Sequence, residues 1–394
     1  MELNPFAYEF HEDPYPTYRW LRDHAPLYRN DALDFWALSR YRDVLDASLD
    51  WATYSSAQGT TLERLDPRLF EVRPMIIFLD PPRHDRLRKL VNKAFTPRRV
   101  ADLEPFVRRT VTRLLDPLVA NGGGDFVKDL SALLPMEVIF TTLGVPEADR
   151  VQCRHWMDVS LERDRDTPVI PPRAVEAMAN TMRYFFEFVG GLRHRPNDGL
   201  VSALLTAEIE SEDGTLTRLT DGEVVGFCTL IGSAGNETVT KLLANAAVLF
   251  TRNPDQWAIV REDLAAIPGA VEETLRYTSP SQYQGRVTMR DVEWYGETVP
   301  KGARILLLTA SANRDAEQFP DPDRFDVRRD VPVALGFGQG IHFCLGASLA
   351  RLESRVVLEE FSRQFPRYRV DESRCVRVHM SNVHGYESVP FVAA

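Results

Sequence analysis

The longest helical pattern in the chain runs from Thr220 to about Phe250. Thr220 with Glu223 three positions later is a capping-box pair, which predicts that a helix begins there. The stretch that follows is apolar on most sides, so we expect one buried helix of about 30 residues, roughly 45 Å long. Its middle contains Gly232, Gly235 and Asn236, which are poor helix formers. A functional reason for these residues is therefore expected.

Shorter patterns surround this helix. Leu345, Leu349 and Leu352 recur at helical spacing. Asp80-Pro81 predicts another helix start, with Asp80 as the N-cap and Pro81 in the first helical position. Strand patterns cover 292–295, 305–308 and a last hairpin from 376 to 392. We expect a mainly α chain with small β-sheets (α+β), forming one domain over residues 1–394.

Composition narrows the function classes. The formal charge of −10 argues against a general nucleic-acid or anionic-membrane binder, and the 44% apolar fraction suits a sizeable core. The four cysteines are scattered without disulfide or zinc spacing, which indicates a reducing compartment. No secretory signal and no apolar run of about 20 residues is present. We therefore expect a cytoplasmic protein that contacts neither nucleic acid nor membrane.

Candidate chemistry concentrates in the stretch 337–346, which we call the cysteine loop. Cys344 lies just before a predicted helix, where unpaired N–H groups and the helix dipole favour a thiolate. The loop glycines allow positive φ or a flat approach to a large ligand. A cysteinate on such a loop suits an axial haem ligand. On Cys344 alone, a small buried apolar side chain is the more frequent alternative.

The whole loop resembles the haem-binding loop of the cytochrome P450 monooxygenases. Phe337, Gly340, His342, Cys344 and Gly346 match its pattern position for position. The resemblance extends from about residue 10 to the end of the chain. It implies a cytochrome P450 fold, with the long buried helix over a haem b (iron protoporphyrin IX) whose iron is bound by the Cys344 thiolate. Phe337, Gly338, His342 and Gly346 are then cofactor-binding residues.

The middle of the long helix fits the same family. Ala234-Gly235-Asn236-Glu237-Thr238 matches its oxygen-activation motif, although Glu237 stands where many members carry Asp. The resemblance implies that Ala234 and Gly235 leave room beside the haem, and that Glu237 and Thr238 deliver protons to bound dioxygen. The structural alternative is a tolerated kink, with Thr238 bonded back to the Ala234 carbonyl.

Further matches concern the haem carboxylates and the core. His84 and Arg88 share one helix face, which alone is typical of a solvated basic surface. By resemblance these two residues, with Arg286 and His342, bind the haem propionates. The resemblance also implies a buried structural pair, Glu273 and Arg276, joined by Arg324 from a later loop. Without the resemblance, a Glu and an Arg three positions apart would be expected on the surface.

These features together predict a bacterial-type monooxygenase. It would use dioxygen and ferredoxin-supplied electrons to hydroxylate, epoxidise or demethylate a small apolar organic molecule. Three other functions fit the sequence less well. A peroxide-driven peroxygenase usually lacks the acid–Thr pair that this chain has, and a haem sensor would need a signalling region. A cysteine hydrolase would not explain the glycines of the cysteine loop. Fatty acids, terpenoids, steroids and macrolides all remain candidate substrates. Candidate pocket residues are Gln58, Ile231, Gln282, Tyr283, Gln284 and Asn382.

A basic segment suggests where the electron donor binds. Nine basic residues fall within 27 positions that contain only three acidic ones, whereas the chain as a whole has a net charge of −10. They are Arg83, Arg86, Arg88, Lys89, Lys93, Arg98, Arg99, Arg108 and Arg109. A solvated helix face explains any one of them. By resemblance the segment lies on the thiolate side of the haem, together with Arg351 and Arg355, where an acidic ferredoxin would dock.

Overall fold

The computed structural model describes residues 1–65, 75–94, 96–164, 167, 169–210, 215–380 and 382–394, with side chains at all of these except 64, 93, 94, 209 and 210. These residues form a mainly α protein with small sheets, as predicted. Within them, no helix has both the length and the apolarity that a membrane crossing requires. The four cysteines are all free.

The helices, in chain order, are α1 Tyr8–Glu12, α2 Tyr15–His24, α3 Tyr41–Leu49, α4 Arg83–Ala94, α5 Pro97–Ala101, α6 Glu104–Ala120, α7 Leu134–Leu143, α8 Glu147–Leu161, α9 Pro172–His194, α10 Leu200–Thr206, α11 Asp221–Arg252, α12 Pro254–Glu262, α13 Ile267–Tyr277, α14 Thr309–Ala312 and α15 Ala347–Gln364. The strands are β1 Leu27–Asn30, β2 Phe35–Leu38, β3 Tyr54–Ser55, β4 Gly123–Asp125, β5 Glu208–Glu210, β6 Leu216–Arg218, β7 Gln284–Thr288, β8 Val292–Trp294, β9 Glu297–Val299, β10 Arg304–Leu307, β11 Tyr368–Val370, β12 Val376–Arg377, β13 Tyr386–Ser388 and β14 Pro390–Ala393.

Helix α11 is the axis of the fold. It has 32 residues, and the capping box between Thr220 and Glu223 is formed in both directions, which confirms the sequence prediction. Helices α7, α9 and α15 pack along it, and most of its C-terminal half is buried. The long helix is stable because this packing outweighs the poor propensities in its middle.

The sheets lie beside the helical body. Five strands form one sheet in the order β1-β2-β10-β7-β3, with β2 and β10 parallel and the other neighbours antiparallel. A smaller sheet has the order β11-β14-β4. The predicted C-terminal hairpin exists in a shorter form, because β12 pairs with β13 whereas β14 pairs with β11 and β4. The first sheet carries Arg286 on β7 toward the site described next.

The predicted N-cap role of Asp80 is wrong. Helix α4 begins at Arg83, and the Asp80 carboxylate instead accepts hydrogen bonds from the Ser55 hydroxyl and from the Ser56 backbone N–H at 3.2 Å. Asp80 therefore ties the start of α4 to the segment after β3.

Candidate active site

The cysteine loop is held by its own backbone. Gly338 and Gly340 have φ values of 69° and 73°, the left-handed region predicted for loop glycines. Gly340 also lies against α3, since a Cβ there would sit 2.6 Å from the carbonyl oxygen of Ser48. The Cys344 N–H donates to the Phe337 carbonyl at 2.9 Å, which closes the loop. The sulfur is thereby fixed just before α15, whose N-cap is Gly346.

The thiol of Cys344 lies in a mixed environment. Burial raises its pKa, while hydrogen bonding from the backbone of Gly346 and Ala347 and the charges of Arg88 and Arg351 act in the opposite direction. The predicted N–H groups at the sulfur are therefore present. These N–H groups lower the pKa of the free thiol by less than burial raises it. The position of Cys344 before a helix is therefore not enough by itself to make it a thiolate.

The predicted anchors for the haem carboxylates come together from three parts of the chain. The imidazole rings of His84 and His342 lie 4.7 Å apart, and Ser56 Oγ is hydrogen-bonded to His342 Nε2 at 2.9 Å. Burial first, and then the charges of Arg286, His84 and Arg88, lower the pKa of His342 to about 2. Burial lowers the pKa of Arg286 to about 10. His342 is therefore uncharged near neutral pH, and Arg88 and Arg286 carry the positive charge of this corner of the site.

The two arginines of this corner have no ion-pair partner among the described residues, and Asp80 acts on Arg286 only at longer range. Among the described residues, no carboxylate lies within ion-pair distance of Arg286 or Arg88; these side chains donate to the carbonyls of Gly285 at 2.7 Å and Phe343 at 2.9 Å. His84 donates through Nδ1 to Asp85, while its buried Nε2 has no partner. Buried polar groups are normally paired. The cluster therefore fits a ligand that brings carboxylates, as haem does, beside a cysteine that can bind its iron.

The oxygen-motif residues lie on α11 at the edge of a cavity. The Thr238 hydroxyl donates to the Ala234 carbonyl at 3.0 Å, the contact that the structural alternative predicted. Glu237 pairs with Lys241 one turn later, with 3.0 Å between Oε2 and Nζ, and both side chains are largely buried. Lys241 was not predicted, although a lysine inside a buried helix, four residues after an acid, was a readable signal.

A second acid, which is partly exposed, lies near this pair. Asp158 on α8 is hydrogen-bonded to Arg154 at 3.3 Å. Burial raises the pKa of Asp158, and the nearby charge of Glu237 adds to the effect. Asp158 and Glu237 thus interact electrostatically across the contact between α8 and α11.

The cavity beside Glu237 and Thr238 has a volume of about 190 Å³. Five of the eight methionines in the chain line it: Met75, Met157, Met178, Met182 and Met380. Met side chains adapt to irregular shapes, so this wall can adjust to its ligand.

Only one of the six predicted pocket residues lines this cavity. Asn382 does, whereas Gln58, Ile231, Gln282, Tyr283 and Gln284 do not. Gln282 is buried and bonds to the Tyr18 hydroxyl at 3.1 Å and to the Ser279 carbonyl at 2.6 Å. The Tyr283 hydroxyl accepts from the Leu62 N–H, Gln284 donates to Ser281, and Ile231 packs on the main core.

An ion pair in the cavity wall was not predicted. Arg163 Nη2 lies 3.2 Å from Glu63 Oε1, and their side chains are 9% and 1% exposed. Arg163 follows the end of α8, whereas Glu63 lies in a short helical turn at Leu62–Arg64. The two residues are 100 positions apart, so spacing could not have revealed the pair.

The buried structural pair exists, but its third member differs from the prediction. Glu273 and Arg276 are fully buried and form two hydrogen bonds of 2.7 and 2.8 Å. The third side chain is Arg329, whose Nε lies 3.2 Å from Glu273 Oε1. The Arg324 side chain is 62% exposed and pairs with Asp326, and only its carbonyl contacts Arg276. The prediction of Arg324 was wrong because the later loop carries three arginines, Arg324, Arg328 and Arg329, and the sequence does not show which one turns toward Glu273.

The predicted basic face is partly neutralised. Arg86 pairs with Glu223, Arg351 with Glu272, and Arg355 with both Glu104 and Glu359, while Arg88 turns inward. Arg108 contacts Glu104, Glu359 and Glu360, which raises its pKa above the ordinary value. Arg83, Lys89, Arg98, Arg99 and Arg109 are exposed, and the Lys93 side chain is outside the described residues.

Comparison with known proteins agrees with this geometry. The family model described as cytochrome P450 matches residues 174–372. "Putative cytochrome P450 123" of Mycobacterium tuberculosis is 44% identical over 390 residues, covering 98% of this chain and 96% of that protein. The structure of cytochrome P450 CYP109Q5 from Chondromyces apiculatus superimposes with a TM-score of 0.90 at 36% identity, covering 100% of this chain and 98% of that one. CYP109E1 from Bacillus megaterium in complex with corticosterone gives a TM-score of 0.86 at 32% identity, covering 98% and 99%.

Proposed function

Because the chain belongs to the cytochrome P450 family, we propose that it inserts one oxygen atom of dioxygen into a small, mainly apolar organic molecule, with electrons from a ferredoxin. The reaction class is that of a P450 monooxygenase with a haem held by a cysteine thiolate. The observation that carries the proposal is the half-buried Cys344 near Arg88 and Arg286, two arginines with no carboxylate within ion-pair distance among the described residues, together with a cavity lined by Glu237 and Thr238.

We assign haem b, with Cys344 as iron ligand. When bound, the haem supplies dioxygen activation, and the thiolate favours cleavage of the O–O bond. The backbone N–H groups of Gly346 and Ala347 hold the sulfur and tune its donor strength. The four anchors, His84, Arg88, Arg286 and His342, bind the carboxylates.

Proton delivery is assigned to α11. Because the Thr238 hydrogen is donated to the Ala234 carbonyl, its oxygen offers lone pairs toward the cavity and can hold a proton-bearing group there. Glu237 is the nearest acid on the same helix, and Lys241 fixes the position of its carboxylate. Asp158 offers a route by which protons from the surface reach Glu237.

The acid–Thr turn favours dioxygen over peroxide as the oxygen source. Isotopically heavy dioxygen, supplied with ferredoxin, its reductase and NAD(P)H, should label the product. An unlabelled product that forms only with added peroxide would favour the peroxygenase alternative.

The Thr238→Ala variant tests proton delivery. It should bind haem and substrate normally but form about tenfold less product per NAD(P)H, with peroxide released instead. Thr229→Ala is the matched control, because Thr229 also lines the cavity and donates to its own helix, at the Val225 carbonyl. Equal coupling in Thr238→Ala and native protein would leave Thr238 with a structural role only.

The ferredoxin is assigned to the groove between α5, α13 and α15. This groove has a volume of about 550 Å³, and its lining includes Pro97, Val100, Arg351 and Arg355. Exposed Arg98 and Arg99 border it on α5. Since the groove's own arginines are paired with Glu272 and Glu104, the exposed residues supply the charge that steers an acidic partner.

Arg99→Glu should slow ferredoxin-driven reduction severalfold at low salt, and less as salt screens the charges over about 8–10 Å. Reduction by dithionite and substrate binding should not change. Arg183→Glu, an exposed arginine on α9, is the control. If Arg99→Glu and ionic strength both left the rate unchanged, this docking face would be rejected.

A single domain over residues 1–394 and a cytoplasmic location complete the proposal. The four free, scattered cysteines support the location, because they suit a reducing compartment.

A further inference from the structure

The wall of the cavity is poor in available hydrogen-bond donors. Five of its hydroxyl groups already donate to a carbonyl of their own helix or turn: Ser160, Thr181, Thr229, Ser233 and Thr238. A side chain bonded in this way can accept a hydrogen bond but has no hydrogen left to give. A ligand oxygen in the cavity therefore needs a donor other than these five hydroxyl groups.

Arg163 provides that donor. Its Nη1 and Nη2 groups bond to the carbonyls of Ser160 and Glu162 and to the carboxylate of Glu63. Its buried Nε has no partner. Because a buried N–H group without a partner is costly, a ligand that supplies an acceptor gains the full benefit of satisfying it. The Thr61 hydroxyl, which is also buried and unpartnered, lines the same cavity.

The charge at this place is already balanced. Glu63 forms an ion pair with Arg163 at 3.2 Å, and the other charged residue among the described lining residues is Glu237, an acid. A carboxylate ligand would meet no unbalanced cation, because Arg163 is paired with Glu63, and Glu237 with Lys241. The neighbouring carboxylates would repel its uncompensated charge in a desolvated cavity, which is unfavourable. A neutral acceptor such as a ketone, ester or hydroxyl oxygen meets no such repulsion.

We propose that the substrate is a neutral, mainly apolar molecule with an oxygen acceptor that binds Arg163 Nε, and that the Glu63–Arg163 pair selects against free carboxylic acids. The apolar remainder packs against the methionine wall. This inference rests on the proposed function, because it concerns the substrate of the same site. It excludes free fatty acids while retaining oxygen-bearing terpenoids, steroids and macrolides.

The test uses the haem-loaded protein and three probes of equal chain length: a methyl ketone, a fatty acid and a hydrocarbon. Dissociation constants are measured by the Soret shift and, independently of the haem, by calorimetry. The ketone should bind about tenfold more tightly than either of the others. A fatty acid that binds the native protein as tightly as the ketone would overturn the inference.

Two variants separate charge from hydrogen bonding. Glu63→Gln leaves Arg163 as an unbalanced cation, so fatty-acid binding should tighten about tenfold or more while ketone binding changes less than about threefold. Arg163→Met should remove the preference for the ketone over the hydrocarbon. Thr181→Val is the control, because that wall hydroxyl is already bonded to the Ala177 carbonyl, and the native order should persist.

An unchanged order of affinities in Glu63→Gln would also overturn the inference. Failure of the proposed function gives a different result: the reduced carbon monoxide adduct of the native protein would then lack the red-shifted Soret band. A normal band with a preference for the fatty acid rejects only the neutral-acceptor substrate.

Discussion

The cysteine loop and the cavity beside α11 are built in opposite ways. The loop is a continuous stretch fixed by backbone conformation, with positive φ at Gly338 and Gly340 and an N–H to carbonyl bond from Cys344 to Phe337. The cavity is assembled from separate elements, and its wall includes five flexible methionines. The difference indicates that the ligand of the metal must be held rigidly, whereas the substrate wall must be able to adjust.

Two glycine substitutions test this difference most strongly. Gly340→Ala forces a side chain into the left-handed region and against the Ser48 carbonyl, so it should lower the free energy of unfolding by about 3–5 kcal/mol and weaken haem retention. Gly232→Ala would meet only the flexible end of Met157, and the helix gains about 1 kcal/mol of propensity.

Gly232→Ala should therefore be near neutral in stability but reduce substrate affinity, since Met157 is pushed toward the cavity. Denaturant unfolding and ligand titration measure the two effects. Equal loss of stability in both variants would contradict a rigid loop and an adaptable wall.

The polar scaffold beneath the cysteine loop should also be intolerant of change. Arg329→Met removes the hydrogen bond to buried Glu273 and those to the Asp321 and Arg324 carbonyls, and should cost about 2–4 kcal/mol. Arg324→Met should change stability by less than about 0.5 kcal/mol, because that side chain is exposed. Urea unfolding of both variants decides between the two arginines, and a larger loss in Arg324→Met would restore the sequence-based assignment.

Glu353 on α15 gives the scaffold a pH dependence. Burial raises its pKa from 4.5 to about 8. The folded state therefore binds a proton that the unfolded state releases, so the stability from this group is fully present below pH 4.5 and is lost as the pH rises toward 8. Glu353→Gln removes this loss, and should stabilise the protein by about 2 kcal/mol near neutral pH but not at acidic pH.

Unfolding of Glu353→Gln across pH, beside the exposed control Glu147→Gln, measures this effect. A difference from native protein that stays constant with pH would show that Glu353 ionises normally in the folded state.

The contrast between the local cysteine loop and the assembled cavity also explains which features the sequence could predict. The cysteine loop, the capping box of α11 and the Glu273–Arg276 pair are local patterns, and the structure contains them. Contacts between positions far apart in the sequence could not be predicted in this way. The Glu63–Arg163 pair, the choice of Arg329 over Arg324 and the inward hydrogen bonds of Gln282 depend on tertiary packing. Five of the predicted pocket residues do not line the cavity for that reason, since a stretch that passes near a site need not point into it.

The most direct measurement is the spectrum of the reduced carbon monoxide adduct in native protein, Cys344→Ser and the control Cys375→Ser. A thiolate ligand from Cys344 predicts the red-shifted Soret band in native protein and in Cys375→Ser, and its loss in Cys344→Ser. Cys375 is a free cysteine after the short turn Glu372–Arg374, away from the cysteine loop in sequence. A Cys344→Ser protein that keeps the band would contradict the account, because another residue would then be the iron ligand.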